Sequence, residues 1–126
     1  MERVIGIGGV FLRARRPEQL RSWYAERLGF LLEEFGGSVF RADAGDVTVW
    51  HAFPQDSAYL GEPEKQVMVN YRVRDLDAML AQLRAAGVPV EDRVGESEHG
   101  RFGWATDPEG NRIELWEPPP GEYPAG

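Results

Sequence analysis

The stretch Asp107-Pro108-Glu109-Gly110-Asn111-Arg112-Ile113-Glu114-Leu115-Trp116-Glu117-Pro118 reads as a tight turn running into one short strand. Pro108-Glu109-Gly110-Asn111 collects residues that preset or tolerate turn geometry. The residues that follow alternate. Side chains along a strand point to opposite faces in turn, so Ile113 and Leu115 share one face and Arg112, Glu114 and Trp116 the other. The first face is core. That leaves Glu114 between two large apolar residues but turned away from them, where a carboxylate has to find a partner or shift its pKa.

Working backwards, Arg101–Thr106 is a second strand candidate and Val88–Arg93 a third, with Gly95 between them. They follow a helix that opens at Asp75, a good N-cap, with Asp77 adding favourable charge to the first turn. Leu76, Met79, Leu80 and Leu83 form its apolar stripe, and Gly87 stops it. Met68–Val73 precedes it as a strand. The N-terminal half repeats this order. Strand Gly9–Ala14 leads into a helix from Pro17, with Leu20, Trp23, Tyr24 and Leu28 on one face and Gly29 as its stop. Leu31–Glu34, Ser38–Ala42 and Val47–Ala52 then read as short strands, divided by Gly36-Gly37 and Asp43-Ala44-Gly45-Asp46. The two helix stops lie 58 residues apart (87 − 29). One element order at a fixed spacing is a duplication. The expected architecture is α+β, with two tandem βαβββ modules forming curved sheets around a cleft. A single domain spans 1–126, with module one about 4–54, a surface connector about 54–66, module two about 67–118 and a tail 119–126.

Composition bounds the partners. The chain has 126 residues, a formal net charge of −7, one lysine and no cysteine. Nucleic acid and anionic membranes are repelled on average. Disulfides, thiolate nucleophiles and cysteine metal sites are removed together. Nothing in the first residues resembles a secretory signal, and no run is long enough to span a bilayer. A cytoplasmic location is expected. Gly6-Ile7-Gly8-Gly9 precedes a strand and lacks a Lys-Ser/Thr pair, so it is not a phosphate loop.

The 107–118 signature, the Leu28-Gly29-Phe30 helix stop and Arg74-Asp75-Leu76-Asp77 resemble the vicinal oxygen chelate superfamily. That superfamily includes glyoxalase I, bleomycin and fosfomycin resistance proteins and extradiol dioxygenases. The resemblance implies paired βαβββ modules, a ligand cleft and a homodimer. It also implies a metal shell of His and acidic side chains on the first and last strand of each module. Carried over, those positions fall on Gly9, Met68, Glu114, and either Trp50 or His51. Glycine offers no donor and a thioether suits these metals poorly, so Glu114 with His51 gives at most two ligands where about three are wanted. No metal and no other cofactor is expected.

Strand parity then sorts the cleft. Val10, Leu12 and Ala14 face the first helix, which leaves Phe11 and Arg13 inward. Val69, Tyr71 and Val73 face the second, leaving Met68, Asn70 and Arg72 inward. Taking Val47 and Val49 as core turns Thr48 and Trp50 inward and His51 away. Phe102, Trp104 and Trp116 complete the lining. The candidate ligand-binding set is therefore Phe11, Arg13, Trp50, Asn70, Arg72, Phe102, Trp104 and Trp116, with Glu114 as the candidate catalytic residue. Glu114 either serves a ligand or pairs with Arg72 or Arg13. His99, in the polar loop Glu96–Arg101, reads as solvated. An apolar hollow with a few convergent polar groups suits a small molecule. The leading function is metal-independent binding or transformation of an aromatic or hydrophobic metabolite. The alternatives are a metal-dependent glyoxalase-like lyase or transferase and a non-catalytic accessory dimer.

Overall fold

The computed structural model describes residues 1–42 and 45–121. Part of the expected turn (Asp43-Ala44), the Leu28 side chain and the last five residues of the tail lie outside the described residues. Seven strands and two helices follow one another as β1 Val4–Ala14, α1 Pro17–Leu28, β2 Ser38–Arg41, β3 Val47–Pro54, β4 Val67–Val73, α2 Leu76–Ala85, β5 Gly95–Ser97, β6 Gly100–Thr106 and β7 Arg112–Glu117. The strands form one mixed sheet in the order β2-β3-β1-β4-β7-β6-β5, curled into a half-barrel.

Its symmetry is the duplication made visible. In each half the first strand pairs in parallel with the last, β1 with β3 and β4 with β7, and the last pairs antiparallel with its predecessor. The halves meet antiparallel along β1 and β4. The expected strands at 31–34 and 88–93 reduce to single bridges, Leu32 to Ser38 and Val90 to Ala105. The expected loop at 96–101 is instead a hairpin, in which β5 pairs with β6.

Both helices cover one face of the sheet. Asp75 caps α2 by accepting from the Ala78 amide, and Glu117 Oε1 accepts from the Leu76 amide at 2.8 Å. Leu76, Met79 and Leu80 bury against Val73 and Leu115. Gly103 lets this helix approach, since a Cβ there would stand 3.0 Å from a Leu80 methyl. Under α1, Ala14 and Ala52 pack with Leu20, Tyr24 and Phe30. Trp23, expected to pack, is half exposed and touches Tyr24 edge-on.

Candidate functional site

The other face of the sheet is concave, and its central row fixes the site. Val49, Gly9, Asn70, Glu114 and Trp104 pair directly across β3, β1, β4, β7 and β6. Residues paired this way point to the same side. At Gly9 the strand has just passed a register shift against β4, which brings Gly8 towards the same row. A Cβ on Gly8 would overlap Asn70 Oδ1 and the Trp116 ring. Only glycine leaves Asn70 and Trp116 room there.

Glu114 is 1% exposed. Asn70 Nδ2 donates to its Oε1 at 2.6 Å, Trp104 Nε1 donates to Oε2 at 2.9 Å, and the Tyr59 hydroxyl also donates to Oε2. Burial pushes the carboxyl pKa above its ordinary range, and the three donors work against that shift. Tyr59 in turn is pushed up, first by burial and then by the adjacent carboxylate. A carboxylate has about four lone-pair sites, so three donors leave about one open at Oε1.

Around this carboxyl lies a cavity of about 220 Å³. Phe102 stacks flat on Trp116 on one wall, with ring centroids 6.0 Å apart. Phe53 stacks on Tyr59 at 5.2 Å on another, with Phe11 tilted against Phe53. Val49 and His51 continue the β3 side, and Phe35 and His99 stand at the mouth with centroids 6.4 Å apart. His51 Nδ1 is buried without a hydrogen-bond partner. Burial, reinforced by Arg21, lowers the His51 pKa to about 4, so its ring is neutral near pH 7.

The sequence candidates divide cleanly. Phe11, Asn70, Phe102, Glu114 and Trp116 line the cavity. Trp104 lies beneath it, holding Glu114, and is itself capped by the guanidiniums of Arg93 and Arg112 at 4.5 and 4.9 Å. Trp50 is a correction: it lies on the helix side against Tyr24 and Phe30, and His51 takes the inward place. The parity failed because Val47 and Val49, taken as core, pack on the concave side with Trp116. Arg13 and Arg72 share the concave face but leave it at its ends. Arg13 donates to the carbonyls of Gln55, Ser57, Gly61, Glu62 and Lys65. Arg72 donates to the Ile7 and Val47 carbonyls at 2.7 and 2.8 Å and lies 3.7 Å from Asp46. Neither makes an ion pair with Glu114. His99 is half-buried at the cavity rather than solvated, and its carbonyl accepts from Trp116 Nε1 at 2.8 Å.

Tyr59 is the residue that strand parity could not reach. It lies in the connector, which is no mere surface loop: Leu60 is fully buried against Phe11 and Met68. An apolar Tyr59-Leu60 pair inside a polar, Pro- and Gly-punctuated run was the available signal.

A model of the Glyoxalase/Bleomycin resistance protein/Dioxygenase superfamily matches residues 6–115. The chain belongs to this superfamily. Solved structures agree on the superfamily fold. A methylmalonyl-CoA epimerase in complex with methylmalonyl-CoA and NH4+ is 21% identical, with a TM-score of 0.72, covering 97% of this chain and all of that one. The methylmalonyl-CoA epimerase from Mycobacterium tuberculosis is 22% identical, TM-score 0.69, covering 93% and 90%. A superfamily member from Vibrio splendidus 12B01 is 13% identical, TM-score 0.57, covering 93% and 99%. No curated protein sequence matches the chain.

Measured against the metal shell that the superfamily resemblance implies, this donor set does not fit. Gly8 and Gly9 supply no ligand. Asn70, not Met68, shares the row with Glu114. Both Glu114 oxygens already accept hydrogen bonds, and no three His, Asp or Glu side chains converge on a common point among the described residues.

Proposed function

We propose that this superfamily member binds a small aromatic molecule in the concave cleft without a divalent metal, anchoring one polar group of the ligand on Glu114. The observation that carries the reading is the buried Glu114 carboxyl, held by three donors yet left with one open acceptor position facing an aromatic cavity. The cavity size agrees: a cavity of about 150 Å³ holds benzene, so this one suits a single substituted ring.

Glu114 has two uses in such a complex. It accepts a hydrogen bond from an N–H or O–H of the ligand, which fixes orientation. With its pKa raised by burial it is also a stronger base than an ordinary carboxylate, able to take a proton from a carbon or oxygen acid placed at Oε1. Tyr59 and Asn70 would steady the carboxyl through either event. Methylmalonyl-CoA, bound in one structural relative, carries carboxylate and phosphate charges. Among the described residues no lysine or arginine lines the cavity, and Arg13 and Arg72 at the ends of the concave face donate to main-chain carbonyls, so the reading does not extend to that substrate.

The test is a screen of monocyclic and bicyclic aromatics by tryptophan emission and thermal shift, with and without EDTA. Trp116 and Trp104 should report binding, and EDTA should leave affinity unchanged. A screen that never perturbs either signal would replace this reading with the accessory-dimer one.

A further inference from the structure

Resting on the cleft reading above, we infer that the cleft prefers a protonated amine carried on one aromatic ring over a carboxylate of the same size. Three features of the cavity point the same way.

The first is charge. Glu114 is the acidic group at the cavity floor, and no lysine or arginine lines the cavity among the described residues. The nearby arginines are engaged elsewhere. Arg13 binds connector carbonyls, Arg72 binds the Ile7 and Val47 carbonyls, and Arg112 grips Glu91 through two bonds of 2.8 and 2.7 Å. An entering anion would face Glu114 without a counter-ion, and a desolvated unpaired charge is costly. A cation would instead hold Glu114 ionised, since an opposite charge at close range favours the charged form.

The second is the balance of donors and acceptors. Most donor side chains here are committed: Tyr59, Trp104 and Asn70 donate to Glu114, and Trp116 donates to the His99 carbonyl, while the neutral His51 ring carries one N–H and one acceptor nitrogen. Acceptors remain open. One lone pair of Glu114 is free, and Asn70 Oδ1 is buried with no hydrogen-bond partner. An ammonium brings three donors and no acceptor, the complement of that inventory. A carboxylate brings only acceptors.

The third is the wall. The stacked pairs Phe102–Trp116 and Phe53–Tyr59 make the wall aromatic, and aromatic rings tolerate a cation, through their π-electrons, better than an anion. The same rings stack on the ligand's own ring.

The test compares phenethylamine, 2-phenylethanol and 3-phenylpropionate by calorimetry near neutral pH on the whole protein. The expected order is amine, then alcohol, then carboxylate, with the amine at least about tenfold tighter than the carboxylate. Glu114→Gln should erase most of that ratio, with the amine losing more affinity than the alcohol, because the hydroxyl loses one hydrogen bond and the ammonium loses its ion pairing as well. A carboxylate that binds as well as the amine overturns the charge preference and leaves the cleft reading standing. So does a ratio unaltered in a folded Glu114→Gln protein. If Glu114→Gln does not fold, the wild-type ratio decides alone. If none of the three binds and a wider aromatic screen is also silent, the cleft reading itself falls.

Discussion

Two substitutions at Glu114 separate its fit from its function. Glu114→Gln keeps one acceptor oxygen for Tyr59 and Trp104 and places an amide against Asn70. Turning the Asn70 amide over lets its Oδ1 accept from the new N–H, so stability should change by no more than about 1 kcal/mol. Glu114→Leu leaves two buried donors and the half-buried Tyr59 hydroxyl unpaired and should cost about 3–5 kcal/mol, at roughly 1–3 kcal/mol for each donor before relaxation. Urea titrations of the two variants would check the contrast. A Glu114→Gln loss as large as that of Glu114→Leu would mean that the carboxylate charge itself holds the fold. His51 gives a pH signature. Its folded pKa of about 4 lies below its ordinary 6.5, so the folded state resists its protonation. The stability tied to the neutral ring is fully present above 6.5 and is lost as pH falls through that window towards 4. His51→Phe should flatten that part of the curve, seen as urea midpoints at pH 7 and near pH 4.5 that lie closer together than in the parent.

At the scale of elements, the connector behaves as a strap across the site. Arg13 rivets it to β1 through main-chain carbonyls, and Arg112 holds it to β7 by donating to the Tyr59 carbonyl at 2.5 Å. The Arg112 guanidinium also lies 5.2 Å over the Tyr59 ring. Arg112→Met should free the strap: amides of residues 57–62 would exchange faster with solvent and Tyr59 would lose its fixed approach to Glu114. Unchanged exchange there would show that Arg13 and the buried Leu60 hold the strap without Arg112. This is also where sequence reading met its limit. Both helices, their Asp75 cap and Gly29 stop, and six of the seven strands were legible, because periodicity and capping are local physics. The inward set was legible on β1, β4, β6 and β7, where polar or glycine residues alternate with clearly apolar ones. On β3 the cleft floor is itself apolar, so Val47 and Val49 mimic a core face and the parity inverts, exchanging Trp50 for His51. Tyr59 was hidden because a connector has no period to read. The short β5 was hidden because Gly95-Glu96-Ser97 has no apolar side to bury.

Across the whole molecule the two halves depend on each other at the cleft, since the central row takes Gly9 and Val49 from one and Asn70 and Glu114 from the other. Among the described residues no helix is long and apolar enough to cross a membrane, and the homodimer implied by the superfamily resemblance is proposed for this chain; light scattering should give about twice the 14.2 kDa chain mass if it forms. The sharper prediction concerns metal. In a site that depends on a bound ion, binding stabilises the folded state by mass action, so removing the ion lowers the melting temperature. Here the row that would have to hold the ion is filled from within: glycine on β1, Asn70 and the Trp116 ring over Gly8, and Glu114 with three donors on its oxygens. An ion would have to strip those donors from Glu114, and the closest further nitrogen candidates are His51, flanked by Phe35 and Phe53, and His99 at the mouth. Prolonged EDTA dialysis should therefore leave the melting temperature unchanged, and added Ni, Zn, Mn or Fe should neither raise it nor tighten binding of an aromatic ligand. Gly8→His tests the same logic from the opposite side. It supplies a ligand type that the row lacks, but its Cβ overlaps Asn70 Oδ1, so the variant should lose about 1–3 kcal/mol from overpacking and recover little of it with metal. Stoichiometric metal surviving dialysis in the parent, or a clear EDTA-induced fall in melting temperature, would show that the buried row rearranges to bind an ion and that the metal-independent reading is wrong.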